Sequence, residues 1–203
     1  EEEMLTTTVN EIVGNENIDM PGGRIWKLNE QAETYKLLYQ TGKVEKIDTK
    51  FEIDIHRYPI LDLIAKERTI VGKETISALR KKGIFKYSAS GVGGRKKIKE
   101  KFYYEYLLAM NSEKVDEEFR INLNIIATAI TSQIKQRRSA ESVSYLKADI
   151  DKARQLQKSI LPEHEFKFHD YDLYGLTNPA EIIGGDFFDY LEHGDEKDRL
   201  GVT

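Results

Sequence analysis

Gln155-Leu156-Gln157-Lys158-Ser159-Ile160-Leu161-Pro162 is followed, about twenty residues on, by Ala180-Glu181-Ile182-Ile183-Gly184-Gly185-Asp186-Phe187-Phe188-Asp189. In the second stretch two glycines abut an aspartate, and another aspartate follows a pair of phenylalanines. Gly184 and Gly185 permit a sharp backbone turn and keep side chains clear of it. Asp186 and Asp189 offer carboxylate oxygens, the ligands that hard divalent cations prefer. Taken alone, such a run reads first as a turn edged by solvated acids, because short motifs arise often by chance.

The context changes that reading. A long helix ending in Gln-x-x-x-Leu-Pro, then Asn178-Pro179-Ala180 and the double glycine, closely resembles the opening of the RsbU/SpoIIE-type phosphatases. These belong to the metal-dependent serine/threonine protein phosphatase (PPM) superfamily. The matching residues are Leu156, Gln157, Ile160, Leu161, Pro162, Pro179, Ala180, Gly184, Gly185, Asp186, Phe187 and Asp189, so the resemblance covers about residues 153 to 203. It implies that Asp186 is a ligand of a catalytic Mn²⁺ or Mg²⁺ pair, that Asp189 is the motif's second acid, and that Gly184 and Gly185 support them. It also implies a phosphoserine or phosphothreonine substrate on a small regulatory protein of a partner-switching pathway, typically an anti-sigma-factor antagonist.

The same resemblance implies a G-D-x-x-G-H-G-like turn after the strand that begins near Arg199-Leu200-Gly201-Val202-Thr203, where the sequence stops. Two-metal hydrolysis needs both cations held close enough to make a bridging hydroxide and clamp the phosphoryl oxygens. One or two carboxylates do not complete such a shell. Residues 163–203 are therefore expected to be the truncated N-terminal part of a phosphatase domain, inactive alone, with strands at Tyr171–Leu176 and Phe187–Leu191.

A length of 203 residues suits one domain plus part of another. A hydrophobic share of 39% supports a packed core, and a charged share of 33% suggests long exposed helices. The net charge of −4 argues against a nucleic-acid partner. Arg95-Lys96-Lys97, with Lys99 and Lys101, reads as a solvated hairpin tip. The absence of cysteine excludes disulfides and thiolate metal sites and fits the cytoplasm. No apolar run is long enough for a membrane span, and no signal peptide is evident. The opening Glu1-Glu2-Glu3-Met4 suggests a piece of something longer.

Residues 1 to 13 carry Met4, Leu5, Val9, Ile12 and Val13 at helical spacing. Strands are expected at Arg24–Leu28, Thr34–Gln40 and Phe51–Ile55, the last alternating in polarity. Pro59 suits the start of a helix through Ala65. A second short helix is expected over Lys73–Lys81, ending at Gly83. Ile84–Ser90 and Lys101–Met110 read as two strands joined by a Gly91-Val92-Gly93-Gly94 hairpin turn. That glycine run lacks the lysine and hydroxyl of a phosphate-binding loop. From the helix-start acids Asp116-Glu117-Glu118 to Ile160 neither proline nor glycine occurs, which predicts one helix or two nearly continuous ones.

This order of elements resembles a GAF domain, with the closest local match at Phe102–Ile130, and a PAS-like fold is the competing reading. The resemblance implies an antiparallel sheet with helices on its faces, a small-ligand pocket of unspecified chemistry, and a dimer. The cysteine that tethers bilins in some such domains is missing, which excludes a photoreceptor of that kind. The expected fold class is thus α+β: a GAF-like sensor over residues 1–138, a linker helix over 139–162, and the phosphatase start over 163–203.

Val143, Leu146, Ile150, Ala153, Gln157 and Ile160 follow an alternating three-and-four spacing along that linker. The seam suits a parallel homodimer that carries a regulatory signal, or packing within one chain. His164 and His169 read as part of a surface connector, and His56 and His193 receive no role. Function is expected to be sensory control of a metal-dependent phosphatase. The alternative is a non-catalytic ligand-sensing and dimerisation module.

Overall fold

The computed structural model describes residues 1–73, 77, 86–112, 114–178, 182–185, 187–194 and 199–203. The fold is α+β. Two compact units divide the chain, Glu1–Arg137 and Arg138–Thr203.

In the first unit, helix α1 (Glu2–Gly14) buries Leu5, Val9 and Ile12, which share one stripe. Among the described residues six strands follow: β1 (Gly22–Asn29), β2 (Thr34–Gly42), β3 (Glu52–Asp54), β4 (Thr69–Lys73), β5 (Lys86–Ile98) and β6 (Lys101–Asn111). They form one sheet in the order β3-β2-β1-β6-β5-β4, every neighbouring pair antiparallel. Helix α2 (Ile60–Glu67) lies between β3 and β4 in sequence, with Pro59 at its N-cap.

Because strand side chains alternate between faces, the sheet has two buried sides. Ile25, Tyr106, Leu108 and Met110 pack with α1 and with Phe119, Leu123 and Ile130 of α3 (Glu117–Ile160). Trp26, Leu28 and Leu107 face the other way and pack with Leu61 and Ile64 of α2. Helix α3 runs for 44 residues. Asp116 caps it, its Oδ1 accepting a hydrogen bond from the Phe119 N–H at 3.1 Å, and this bond holds the Asp116 carboxyl below the usual range. Among the described residues no helix is long and apolar enough to cross a membrane.

The glycine run corrects one expectation. Gly91–Gly94 is not the hairpin turn but lies inside β5, where the register to β6 slips between Val92 and Arg95. The connection between β5 and β6 is Lys99–Glu100, with Lys99 at φ 53°. Arg95–Lys97 accordingly belong to strand β5, not to the tip. Gly91 leaves room for the Tyr104 ring, which would stand 2.1 Å from an added Cβ. Gly93 adopts φ +82°, and Gly94 donates to the Glu105 carboxylate at 2.7 Å. The extra residues form a bulge whose amides are satisfied by side chains.

Two further differences concern short elements. The strand expected at Phe51–Ile55 shrinks to Glu52–Asp54, which among the described residues is an edge paired to β2. β4, which carries no expectation, includes Lys73, the start of the expected second helix; most of that helix lies outside the described residues, as do Ile84 and Phe85.

The second unit contains the rest of α3 and two hairpins, β7 (Glu165–Phe168) with β8 (Tyr171–Tyr174), and β9 (Tyr190–His193) with β10 (Arg199–Val202). His169 makes the first turn at φ 50°. The strand expected from Phe187 starts only at Tyr190, and Phe187 itself is exposed. None of this unit's described residues is fully buried.

Candidate functional site

The double-glycine segment is bonded to the end of α3. Gln157 Nε2 donates to the Gly184 carbonyl at 2.7 Å, and the Gly184 N–H donates to Gln157 Oε1 at 3.2 Å. A neutral side-chain amide is the group that supplies a donor and an acceptor side by side. Both partners are half-buried, where an unpaired peptide group is costly. Gly185 has open space where a Cβ would stand, so no steric contact among the described residues demands glycine there.

Phe188 anchors the segment from the other side. Its ring would lie 2.2 Å from a Cβ on Gly175, a contact only glycine permits. It also meets Tyr190 edge-on at 5.5 Å, and Tyr190 stacks on Phe166 at 4.8 Å. His164 pairs its Nδ1 with the Gly175 carbonyl at 2.9 Å and stacks near Tyr174 and Phe188. It is part of this aromatic cluster. Gly175 and His164 therefore help position the motif; sequence reasoning left Gly175 unmentioned and read His164 only as part of a surface connector. The close Gly–Phe approach has no signal in one sequence.

Asp186 lies outside the described residues. Asp189 is exposed, its Oδ1 accepts from the Tyr190 N–H at 2.8 Å, and its backbone pairs with Thr203. Among the described residues no group of three His, Cys, Asp or Glu side chains converges to hold a metal. One exposed carboxylate falls short of the shell that Mg²⁺ or Mn²⁺ requires, so the described residues alone do not fit a cation.

The linker seam is mostly uncovered. Val143 and Leu146 are 63% and 62% exposed and Ile160 is 76% exposed. Ile150, Ala153 and Gln157 are half-buried.

The first unit holds a second candidate. A cavity of about 100 Å³ lies on the α2 side of the sheet, walled by Trp26, Leu61, Ile64, Ile70 and Leu107, with Arg24 also in its lining. Arg24 is 5% exposed. Burial pushes its pKa down, and the charge of Glu45 pulls it back. On the opposite side a polar network joins the β4–β5 edge to α3. Arg68 donates to Thr131 Oγ1 at 2.7 Å, to the Ala127 carbonyl at 3.0 Å and to the Gly91 carbonyl at 3.1 Å. Thr69 donates to Asn124 Oδ1 at 2.9 Å and bonds Ser90 at 2.6 Å. Arg24, Arg68 and Thr131 were not foreseen. Their signal was a polar residue at an inward position: Arg24 shares strand parity with Trp26 and Leu28, and Thr131 shares the helix stripe of Ala127 and Ile134.

No family model matches the chain, and no curated protein matches it.

Proposed function

We propose that this chain is the sensory and regulatory part of a metal-dependent serine/threonine protein phosphatase of the RsbU/SpoIIE type. The observation that carries the proposal is the paired hydrogen bond between Gln157 and Gly184. These residues come from the two halves of the motif that resembles the family, and one amide joins them. Movement of α3 thereby acts directly on the peptide next to Gly185-Asp186. Asp186 and Asp189 are assigned to the Mn²⁺ or Mg²⁺ site of a complete domain, whose substrate is a phosphorylated regulatory protein of the anti-sigma-factor-antagonist kind.

The first unit is taken as a GAF-like sensor. A single antiparallel sheet covered by helices on both faces, with a cavity beside α2, supports this. The network from Arg68 and Thr69 to Asn124 and Thr131 connects the sheet edge to the helix that continues into the linker. The exposed seam at Val143 and Leu146 is assigned to a second copy of the chain, because apolar side chains at heptad spacing are stabilised by mutual burial. The absence of cysteine suits a cytoplasmic setting.

A non-catalytic sensing and dimerisation module is the second reading, favoured by the cavity and the open seam. Phosphate release from a chain extended through the phosphatase domain, with and without Mn²⁺, separates the two. Metal-dependent release supports the first, and its absence with a correctly folded domain leaves the second.

A further inference from the structure

We propose that the cavity beside α2 binds a small carboxylic acid with a short aliphatic body, its carboxylate on the Arg24 guanidinium and its hydrocarbon against Trp26, Leu61, Ile64 and Leu107.

Arg24 lacks a full set of hydrogen-bond partners within the chain. It sits in β1 at an inward position between strands, 95% removed from solvent by its 5% exposure, in the wall of a largely apolar cavity. A buried guanidinium presents five N–H donors and is stable inside a protein when they are met. Its Nη2 donates to the Glu45 carbonyl, a neutral acceptor, and the Glu45 carboxylate acts on it through charge without a hydrogen bond among the described residues. Its Nε is enclosed and has no hydrogen-bond partner among the described residues. The guanidinium is therefore a cavity-lining cation whose hydrogen bonds within the chain are incomplete, and a carboxylate is the acceptor whose charge and planar shape suit it.

The rest of the wall sets the body of the ligand. Trp26, Leu61, Ile64, Ile70 and Leu107 offer hydrocarbon and an indole face. Ser88 is already committed, donating to the Met110 carbonyl, and Asn111 donates to the Lys43 carbonyl at 3.1 Å. A cavity of about 100 Å³ is smaller than the roughly 150 Å³ space that accepts benzene. It suits a short aliphatic acid. Sulfate and phosphate keep their hydration too strongly for such a wall, so charge alone is insufficient. This inference concerns the first unit alone and does not depend on the phosphatase proposal; either can fail without the other.

Trp26 is the sole tryptophan and lines the cavity, so its fluorescence reports occupancy. The full chain is titrated with sodium isobutyrate against sodium chloride at matched ionic strength, with isobutyramide and sodium sulfate as comparison ligands. Isobutyrate is expected to give a saturable fluorescence change in the millimolar range and a matching rise in melting temperature. Isobutyramide, which keeps the shape without the charge, should bind about tenfold more weakly or less, and sulfate should not saturate. Arg24→Leu should abolish the isobutyrate response. Because that change removes a buried group and could impair folding, Ala109→Leu provides a second test: Ala109 lines the cavity across from Arg24 on β6, a leucine there fills the space while the arginine itself is kept, and it should also abolish binding. No saturable response to isobutyrate, equal binding of the amide, or unchanged binding in folded Ala109→Leu overturns the proposal.

Discussion

The side chain of Gln157 bonds both the N–H and the C=O of Gly184, at 3.2 and 2.7 Å. The bond joins the last turns of α3 to the double glycine, and two partly buried hydrogen bonds together contribute about 1–3 kcal/mol. Gln157→Leu keeps much of the bulk and loses both. Exchange of the Gly184 amide with solvent deuterium should then accelerate by about tenfold, since a factor of ten corresponds to about 1.4 kcal/mol. Unchanged protection would mean that the contact does not hold the segment. Gln157→Glu, which retains an acceptor and loses the donor, should fall between.

Thr131 accepts from Arg68 and from the Gly93 N–H, at 2.7 and 3.1 Å, within the polar tie between the sheet and α3. Thr131→Val preserves shape and leaves those donors unmet. We expect a loss of about 1–3 kcal/mol for the first unit. Thermal unfolding followed by circular dichroism should show a midpoint lower by several degrees. An unchanged midpoint would show that the network is replaced by water at no cost.

The cap of α3 supplies a pH dependence. The Phe119 N–H bond, aided by Lys114, lowers the Asp116 carboxyl from its usual value. A carboxyl lowered in the folded state stabilises that state above its unfolded pKa, and the stabilisation is lost as pH falls through the folded pKa. Asp116→Asn keeps an N-cap acceptor without the titration. Its melting temperature should therefore decline less steeply than the wild type's as the solution passes below the ordinary aspartate range. Parallel declines would exclude this group as a contributor.

Leu146 and Ile150 are four apart on the linker, the first 62% exposed and the second half-buried. Changing both to Asp places like charges at facing positions of the proposed parallel dimer and should split or weaken it. Light scattering on the full chain checks the mass. A dimer with unchanged mass and concentration dependence after the double change would assign the stripe to packing within one chain.

How much of this was readable beforehand follows from the range of the forces involved. α1, β1, β2, α2, β6 and α3 announce themselves through period, proline placement and capping acids, which act within a few residues. The glycine run in β5 misleads because its conformation answers to Tyr104, Glu105 and Thr131, contacts across the fold that one sequence does not display. β4 follows Arg68 in a left-handed conformation at φ 67°, held by bonds to Gly91, Ala127 and Thr131. At the motif, Gln157 and Gly184 were each singled out by their pattern. Their mutual bond was not, since it depends on how the chain returns after Pro162.

The decisive measurement is phosphate release by a chain extended through the proposed phosphatase domain, comparing the wild type with Asp186→Asn in Mn²⁺ and in excess chelator. An amide keeps the shape of the carboxylate and loses the charge that holds a hard cation. We expect release only with Mn²⁺ or Mg²⁺ present, and its loss in folded Asp186→Asn. Full activity in Asp186→Asn, or in the presence of chelator, would contradict the assignment.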